Sequence, residues 1–293
     1  MRLGFIGTGN MGFPMAQNLL LQGNELIVHN RTKEKAEPLI ARGAKWAESP
    51  AEVAEKSEVL FTMLSDDHAL EEVTLGQNGL LSAMRAGSIH VSSSTVSVQL
   101  MGRLTKLHQE KGVFLLSSPV MGRPDAAKAA RLKLLLAGPA KVIEQVKPLL
   151  LALGEVLICG EVPKMANAVK LGNNFLIASM LEALAEAITM VRKHGVKAED
   201  YVEIINAFFG SPVYKNYSHL MLNRAWEPAG FKLQLGLKDV KLALAAAEAV
   251  HAPMPVADVV KNHLIEAGAQ GWGDQDWTAI LKAVERDAGV DRE

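Results

Sequence analysis

A single cysteine, Cys159, in 293 residues excludes an internal disulfide and points to a reducing compartment. The eight histidines include no His-Glu-x-x-His or comparable spacing, so no metal is expected. Charge of one sign is also missing. Lys and Arg number 31 against 32 Asp and Glu, a formal net charge of −1 with no run of like charges. That balance gives no electrostatic footprint for nucleic acid, and none is expected as a partner. No charged leader precedes an apolar run and a small-residue cleavage site, so a cytoplasmic protein is expected. The longest apolar stretch, 163–194, is interrupted by Asn173, Asn174, Glu182 and Glu186, which argues against a membrane span and for a buried helix. What remains is ordinary globular composition, 49% hydrophobic and 22% charged, in a chain long enough for two substantial cores.

The most specific local signal lies near the amino terminus. Arg2-Leu3-Gly4-Phe5-Ile6 is a short apolar strand that ends at Gly7-Thr8-Gly9-Asn10-Met11-Gly12. Helical composition follows from Met11 to Gln22 and stops at Gly23, a residue suited to the left-handed position past a helix end. In that order the glycines suit a dinucleotide. Gly7 allows the tight turn, Gly9 lets the backbone approach a pyrophosphate at the helix amino terminus, and Gly12 permits close contact of helix and strand. The second strand, Glu25 to His29, runs into Asn30-Arg31-Thr32. An NAD enzyme usually carries an acid there for the ribose hydroxyls, whereas a guanidinium suits a 2′-phosphate, so NADP(H) is expected, with NAD(H) possible. The competing reading of Arg31 is a solvated loop charge.

Strand and helix patterns alternate to about residue 160. Strands are expected at Lys45-Trp46, 59–64, 88–91, 113–116, 132–136 and 156–158. Ser49-Pro50-Ala51-Glu52 marks a capped helix start, and Ser65-Asp66-Asp67 can cap the next. The alternation predicts a doubly wound parallel sheet, with ligands at the carboxyl ends of its strands. Met63-Leu64-Ser65 and Ser92-Ser93-Ser94-Thr95 occupy such ends, or are plain turns.

After residue 160 the pattern becomes helical. Val169, Leu176, Met180, Leu184, Ile188 and Val191 recur at helical spacing in a segment about 45 Å long, enough to link two domains. The fold class is thus an α/β Rossmann domain, residues 1–162, followed by an all-α domain, residues 163–293, joined by a long interdomain helix over about 163–193. Leu242 to His251 is the clearest later helix, and Trp226, Trp272 and Trp277 are expected to pack helices together. Asn167, Lys170 and Asn174 share one face of the long helix near its start, by their spacing of three and four. A lysine there can donate a proton, and an asparagine one turn on can hold a carbonyl oxygen; the bland alternative is a surface lysine. Such a face is expected to look into an interdomain cleft.

These residues together resemble the β-hydroxyacid dehydrogenases, especially their glyoxylate and succinic semialdehyde reductase branch. The resemblance runs over nearly the whole chain, from Gly4 through Gly12, Asn30-Arg31-Thr32, Ser94-Thr95, Pro119-Val120 with Gly122, Lys170 through Asn174, Phe231, Leu237-Lys238-Asp239 and Met254-Pro255-Val256. It implies homodimers or homotetramers, Lys170 as catalytic acid or base, Asn174 orienting substrate, Thr95 and Lys238 near the cofactor, and Phe231 and Asp239 beside the substrate. Hydride would pass from the nicotinamide to a small carbonyl substrate while Lys170 protonates the developing alkoxide. Two departures stand out. The family's carboxylate-holding serine motif is replaced by Met121-Gly122-Arg123, and the glycine-rich approach to the lysine by Lys164-Met165-Ala166. Either Arg123 takes over the anion, or the pocket has become more apolar. Succinic semialdehyde or glyoxylate is the first expectation, 3-hydroxy acids the second and cyclic imines the third; a non-catalytic NADP-binding module is the alternative of another class.

Overall fold

The computed structural model describes residues 1–290 and divides into two compact units, Met1–Lys170 and a second beginning at Leu171. The first contains β1 (Arg2–Ile6), α1 (Gly12–Leu21), β2 (Glu25–His29), α2 (Glu37–Ile40), β3 (Lys45–Trp46), α3 (Pro50–Lys56), β4 (Val59–Thr62), α4 (Asp67–Leu75) and α5 (Leu80–Ala83). It continues with β5 (Ile89–Ser92), α6 (Val98–Glu110), β6 (Phe114–Ser117), β7 (Val120–Met121), α7 (Pro124–Lys128), β8 (Leu132–Ala137), α8 (Ala140–Leu151) and β9 (Gly154–Gly160). Among the described residues these strands form one sheet in the order β3-β2-β1-β4-β5-β6-β8-β7, with β9 against β8. From β3 to β6 every pairing is parallel. The strand order reverses between β1 and β4, and the glycine turn that follows β1 lies at that switch, where ligands bind in open α/β sheets.

Beyond β6 the sheet departs from the all-parallel expectation. β8 runs antiparallel to β6 and β7, and then parallel to β9. The reversal follows from the short segment β7, Gly122 and α7, which turns the chain without a crossover helix. Helix starts follow local chemistry. Ser49 Oγ accepts from Glu52 N at 3.2 Å, while the Glu52 carboxylate reaches back to Glu48 N at 2.7 Å. Asp66 caps α4 through Ala69 N at 2.8 Å.

A buried polar chain crosses the middle of the sheet. Thr62 Oγ1 lies 2.9 Å from His90 Nε2, His90 Nδ1 lies 3.0 Å from His108 Nε2, and His108 Nδ1 lies 2.7 Å from the Leu104 carbonyl. The carbonyl can only accept, so His108 donates from Nδ1 and accepts at Nε2. His90 must then donate from Nδ1, and the Thr62 hydroxyl donates to its Nε2. Both rings are fully buried and neutral. Burial, and for His90 the neighbouring His108, pushes His90 well below the usual histidine range; burial brings His108 down to about 4.

Helix α9 (Lys164–Lys193) starts in the first unit and continues into the second, which adds α10 (Ala198–Phe209), α11 (Pro212–Leu222), α12 (Leu233–Glu248), α13 (Pro255–Ala269) and α14 (Ile280–Asp287). By length and composition α9 could cross a membrane. However, its Ala178, Leu181, Leu184, Ala185 and Ile188 are buried in the second unit's core, so protein already covers that face. Of the stripe read from sequence, Leu184 and Ile188 are buried and Met180 and Val191 partly so, but Val169 and Leu176 are exposed; near the helix start the buried face carries Asn167, Lys170, Leu171 and Asn174 instead. The helix is apolar on several sides, so periodicity alone did not select the inner face. Trp226, Trp272 and Trp277 are buried in the same core, as expected, and Phe231 packs edge-on against Trp277 with ring centroids 4.7 Å apart. The sequence reading began α12 too late, because Gly236 and Lys238 diluted the apolar pattern of its first turns.

Candidate active site

The glycine turn is built as a close-contact device. Gly7 has φ +98°, and a Cβ on it would sit 2.2 Å from the Met63 carbonyl oxygen. A Cβ on Gly12 would sit 1.9 Å from the Gly7 carbonyl oxygen. By contrast, nothing lies within 4 Å of a Cβ built on Gly9, which leaves its backbone open to a ligand. The buried Thr8 hydroxyl has no protein partner. Thr8 N donates to Asn30 Oδ1 at 3.0 Å, and Asn30 Nδ2 donates to the Thr32 carbonyl at 2.8 Å, so one amide fixes the turn after β1 relative to the loop after β2. Arg31 and Thr32 are exposed on that loop. Open backbone at Gly9, an unpaired hydroxyl and the amino terminus of α1 fit a pyrophosphate. Asn10 is exposed and Met11 partly buried at the same helix start.

The ends of the neighbouring strands complete this face. Met63 and Leu64 are partly buried and Ser65 exposed; Leu64 N donates to Ser94 Oγ at 2.8 Å. Thr95 follows, partly buried. Asn167, in the first turn of α9, is fully buried. Its Nδ2 donates to the Val96 carbonyl at 3.1 Å and the Ser94 carbonyl at 3.5 Å, and its Oδ1 accepts a short bond from Ser117 Oγ. Lys170, three residues on, is 8% exposed. Among the described residues it is the one charged side chain buried in the first unit. Met121 ends β7 and packs partly buried against Leu135, Ala137 and Ala166. Gly122 and Arg123 come next, and Arg123 stands at the start of α7.

In the second unit Asn174 is buried, and its Nδ2 donates to Asp239 Oδ2 at 2.6 Å. Lys238 Nζ pairs with the other oxygen, Asp239 Oδ1, at 3.0 Å. The pairing fixes the Asn174 amide with one N–H committed and its Oδ1 turned away from Asp239. Phe231 is placed by Asp276, whose Oδ2 accepts from Gly230 N and Phe231 N at 3.1 Å each and whose Oδ1 accepts from Thr278. Thus Asn174, Lys238 and Asp239 come together as one hydrogen-bonded group. In the first unit the glycine turn, Asn30 and Met63 form one contact set, and Leu64, Ser94 and Asn167 another.

Sequence reasoning gave Asn167 no role beyond its place on the helix face and did not single out Ser117 or Asp276. For Ser117 and Asp276 no local signal existed, since their partners lie 50 and about 45 residues away. The spacing of Asn167 to Lys170 was the only available hint.

The comparisons with known proteins bear on both units. Residues 2–161 match the NAD binding domain of 6-phosphogluconate dehydrogenase, and residues 165–284 the NAD-binding region of NADP-dependent 3-hydroxyisobutyrate dehydrogenase. The chain is 46% identical over 286 residues to the uncharacterized oxidoreductase YfjR of Bacillus subtilis, covering 97% of this chain and 100% of that protein. It is 34% identical over 285 residues to the chloroplastic glyoxylate/succinic semialdehyde reductase 2 of Arabidopsis thaliana, with 97% and 79% covered. The solved 3-hydroxyisobutyrate dehydrogenase of Mycobacterium tuberculosis with L-serine superposes with a TM-score of 0.88 at 25% identity, over 97% of this chain and 98% of that one. The chain belongs to the β-hydroxyacid dehydrogenase family and is an NAD(P)-dependent oxidoreductase with a Rossmann-type domain followed by a helical one.

Proposed function

We propose that this enzyme uses NADPH to reduce a small anionic aldehyde or 2-oxo acid, of the succinic semialdehyde or glyoxylate type, to the hydroxy acid. The observation that carries the reading is Lys170, the one charged side chain among the buried polar residues described in the first unit, one helical turn before Asn174. The Arabidopsis relative's name supplies the substrate class. Gly7 through Gly12 would hold the pyrophosphate, with Met63, Leu64, Ser65, Thr95 and Lys238 along the rest of the cofactor. Arg31, flanked by Asn30 and Thr32, would meet a 2′-phosphate as a charge-assisted donor. When bound, the nicotinamide supplies hydride to the carbonyl carbon. Lys170 gives its proton to the oxygen on which charge develops, and Asn174, oriented by Asp239, holds that oxygen or the neighbouring hydroxyl. Met121 packs against apolar side chains, which favours Arg123, next to Gly122, as the holder of the substrate anion, with Phe231 against the carbon chain.

The test is NADPH oxidation at neutral pH with succinic semialdehyde, glyoxylate, a neutral aldehyde of similar size and a cyclic imine. Lys170→Ala is expected to lower kcat by about 10²- to 10⁴-fold. Arg123→Ala is expected to raise KM for the two acids by about 10- to 100-fold while sparing the neutral aldehyde. Preference for the neutral aldehyde or the imine would overturn the anionic-substrate reading.

Self-association of the helical unit belongs to the same proposal. Leu176 and Met190 are exposed on α9 with Ala183 between them at seven-residue intervals, and Ile204, Phe208 and Phe209 are exposed on α10, Phe208 at 81%. Apolar surface of that extent favours a second copy, as a homodimer or homotetramer.

A further inference from the structure

We propose that Asn167 is a positioning residue that sets where Lys170 stands relative to the segment carrying Thr95; this rests on the reading of Lys170 as proton donor. Asn167 holds together three pieces of the first unit that are far apart in sequence. Its Nδ2 donates to the carbonyls of Ser94 and Val96, the residues on either side of Thr95, and its Oδ1 accepts a hydrogen bond from the hydroxyl of Ser117 at the end of β6. The orientation of the amide is dictated by chemistry. Two carbonyls can only accept, so the NH₂ group must face them, and the serine is left to donate to Oδ1. Ser94 extends the network, because its hydroxyl accepts from Leu64 N at the end of β4. The first turn of α9 is thereby tied to the ends of β4, β5 and β6, and Lys170 follows Asn167 by three residues on the same helix face.

An amide is the side chain this place requires. Aspartate has the same size but carries no donor, and it would bring a carboxylate against two carbonyl oxygens. Alanine would leave those carbonyls and the Ser117 hydroxyl buried without a partner. Either change loosens the register between α9 and the strand ends. Displacement of a catalytic group by about 1 Å is enough to cost about 100-fold in rate. No atom of Asn167 need touch substrate for this to hold.

The experiment compares wild type, Asn167→Asp and Ser117→Ala for kcat and KM in carbonyl reduction, NADPH affinity by fluorescence titration, and Tm. Asn167→Asp is expected to lower kcat by about 10- to 100-fold with NADPH affinity changed by less than about threefold. Ser117→Ala removes one donor and is expected to lower kcat by about threefold at unchanged NADPH affinity, which keeps the test available if Asn167→Asp does not fold. Wild-type kcat in either folded variant overturns the proposal. So does a loss of kcat matched by equal losses of NADPH affinity and Tm, the pattern of a merely structural residue. A wild type that reduces none of the carbonyls removes instead the reading of Lys170, and that is seen before any variant is made.

Discussion

The two units bury polar groups by opposite means. In the first, among the described residues, the buried set consists of hydroxyls, amides and neutral imidazoles, such as Thr62, His90, Ser94, His108, Ser117 and Asn167, with Lys170 as the one charge. In the second it includes four carboxylates, Glu182, Asp239, Asp276 and Glu285. Each of these has a partner far along the chain: Glu182 has His263, Asp239 has Asn174 besides the adjacent Lys238, Asp276 has the backbone N–H groups of Gly230 and Phe231, and Glu285 has Arg192 and Arg224. A buried ionisable group is costly unless it has partners, and in the second unit the partners of these acids come largely from other segments, so that each acid fixes one segment on another. The first unit thus buries mainly neutral polar groups and the second acids as well, with Lys170 in the one and Asp239 in the other standing among the candidate site residues.

The sharpest way to break the comparison is to overfill the first unit. Gly7→Ala meets both a left-handed φ and the Met63 carbonyl oxygen 2.2 Å away. It is expected to cost about 2–5 kcal/mol and to abolish binding of the nicotinamide cofactor. Trp46 is the only tryptophan before residue 226, so a Trp46→Phe background reports the second unit alone; urea unfolding in the two backgrounds should show the loss confined to the first unit.

The next effect is in pH, and its sign differs between units. Folded, His90 and His108 refuse a proton that the unfolded chain accepts near pH 6.5. The stability they confer is complete above that pH and lost as pH falls towards about 4, by about 3 kcal/mol for His108 alone. Glu182 runs the other way. Burial pushes its carboxyl up to about 7, against the pull of His263, so the folded protein keeps a proton that an unfolded glutamate releases near 4.5. Its contribution is complete below 4.5 and lost as pH rises through about 7. Urea midpoints at pH 5 and pH 7 should therefore show the first unit gaining on going to pH 7. Glu182→Gln should remove a loss in the second. Slopes of one sign for both histidine and glutamate variants would erase the distinction.

The smallest effect is expected from the same substitution that is worst at Gly7. Gly172 is exposed inside α9 with nothing within 4 Å of a Cβ. Gly172→Ala should therefore stabilise by about 0.5–1 kcal/mol through helix propensity, read as a modest rise in Tm.

Much of this was legible in the sequence where the determining forces are local. The strand, glycine turn and helix from Arg2 to Leu21 follow from φ preferences and hydrophobic runs over 20 residues. Asn167, Lys170 and Asn174 do share a buried face, because helix geometry fixes their spacing. The antiparallel entry of β8, the exposure of Val169 and Leu176, and the placing of Met121 against Ala166 were not legible. Each depends on which distant surface the segment meets, and an apolar residue carries no label for its partner.

The sequence by itself determined the fold class, the nucleotide turn and the family, since these are written in short-range patterns of residue size, charge and backbone freedom. Only the tertiary structure decided that Asn174 faces Asp239, that Asn167 gathers three strand ends, that Asp276 positions Phe231, and that two histidines stand neutral in line behind Thr62. Those are pairings between polar groups up to 73 residues apart. They exist because a buried donor must find an acceptor, and folding, not sequence proximity, brings the two together.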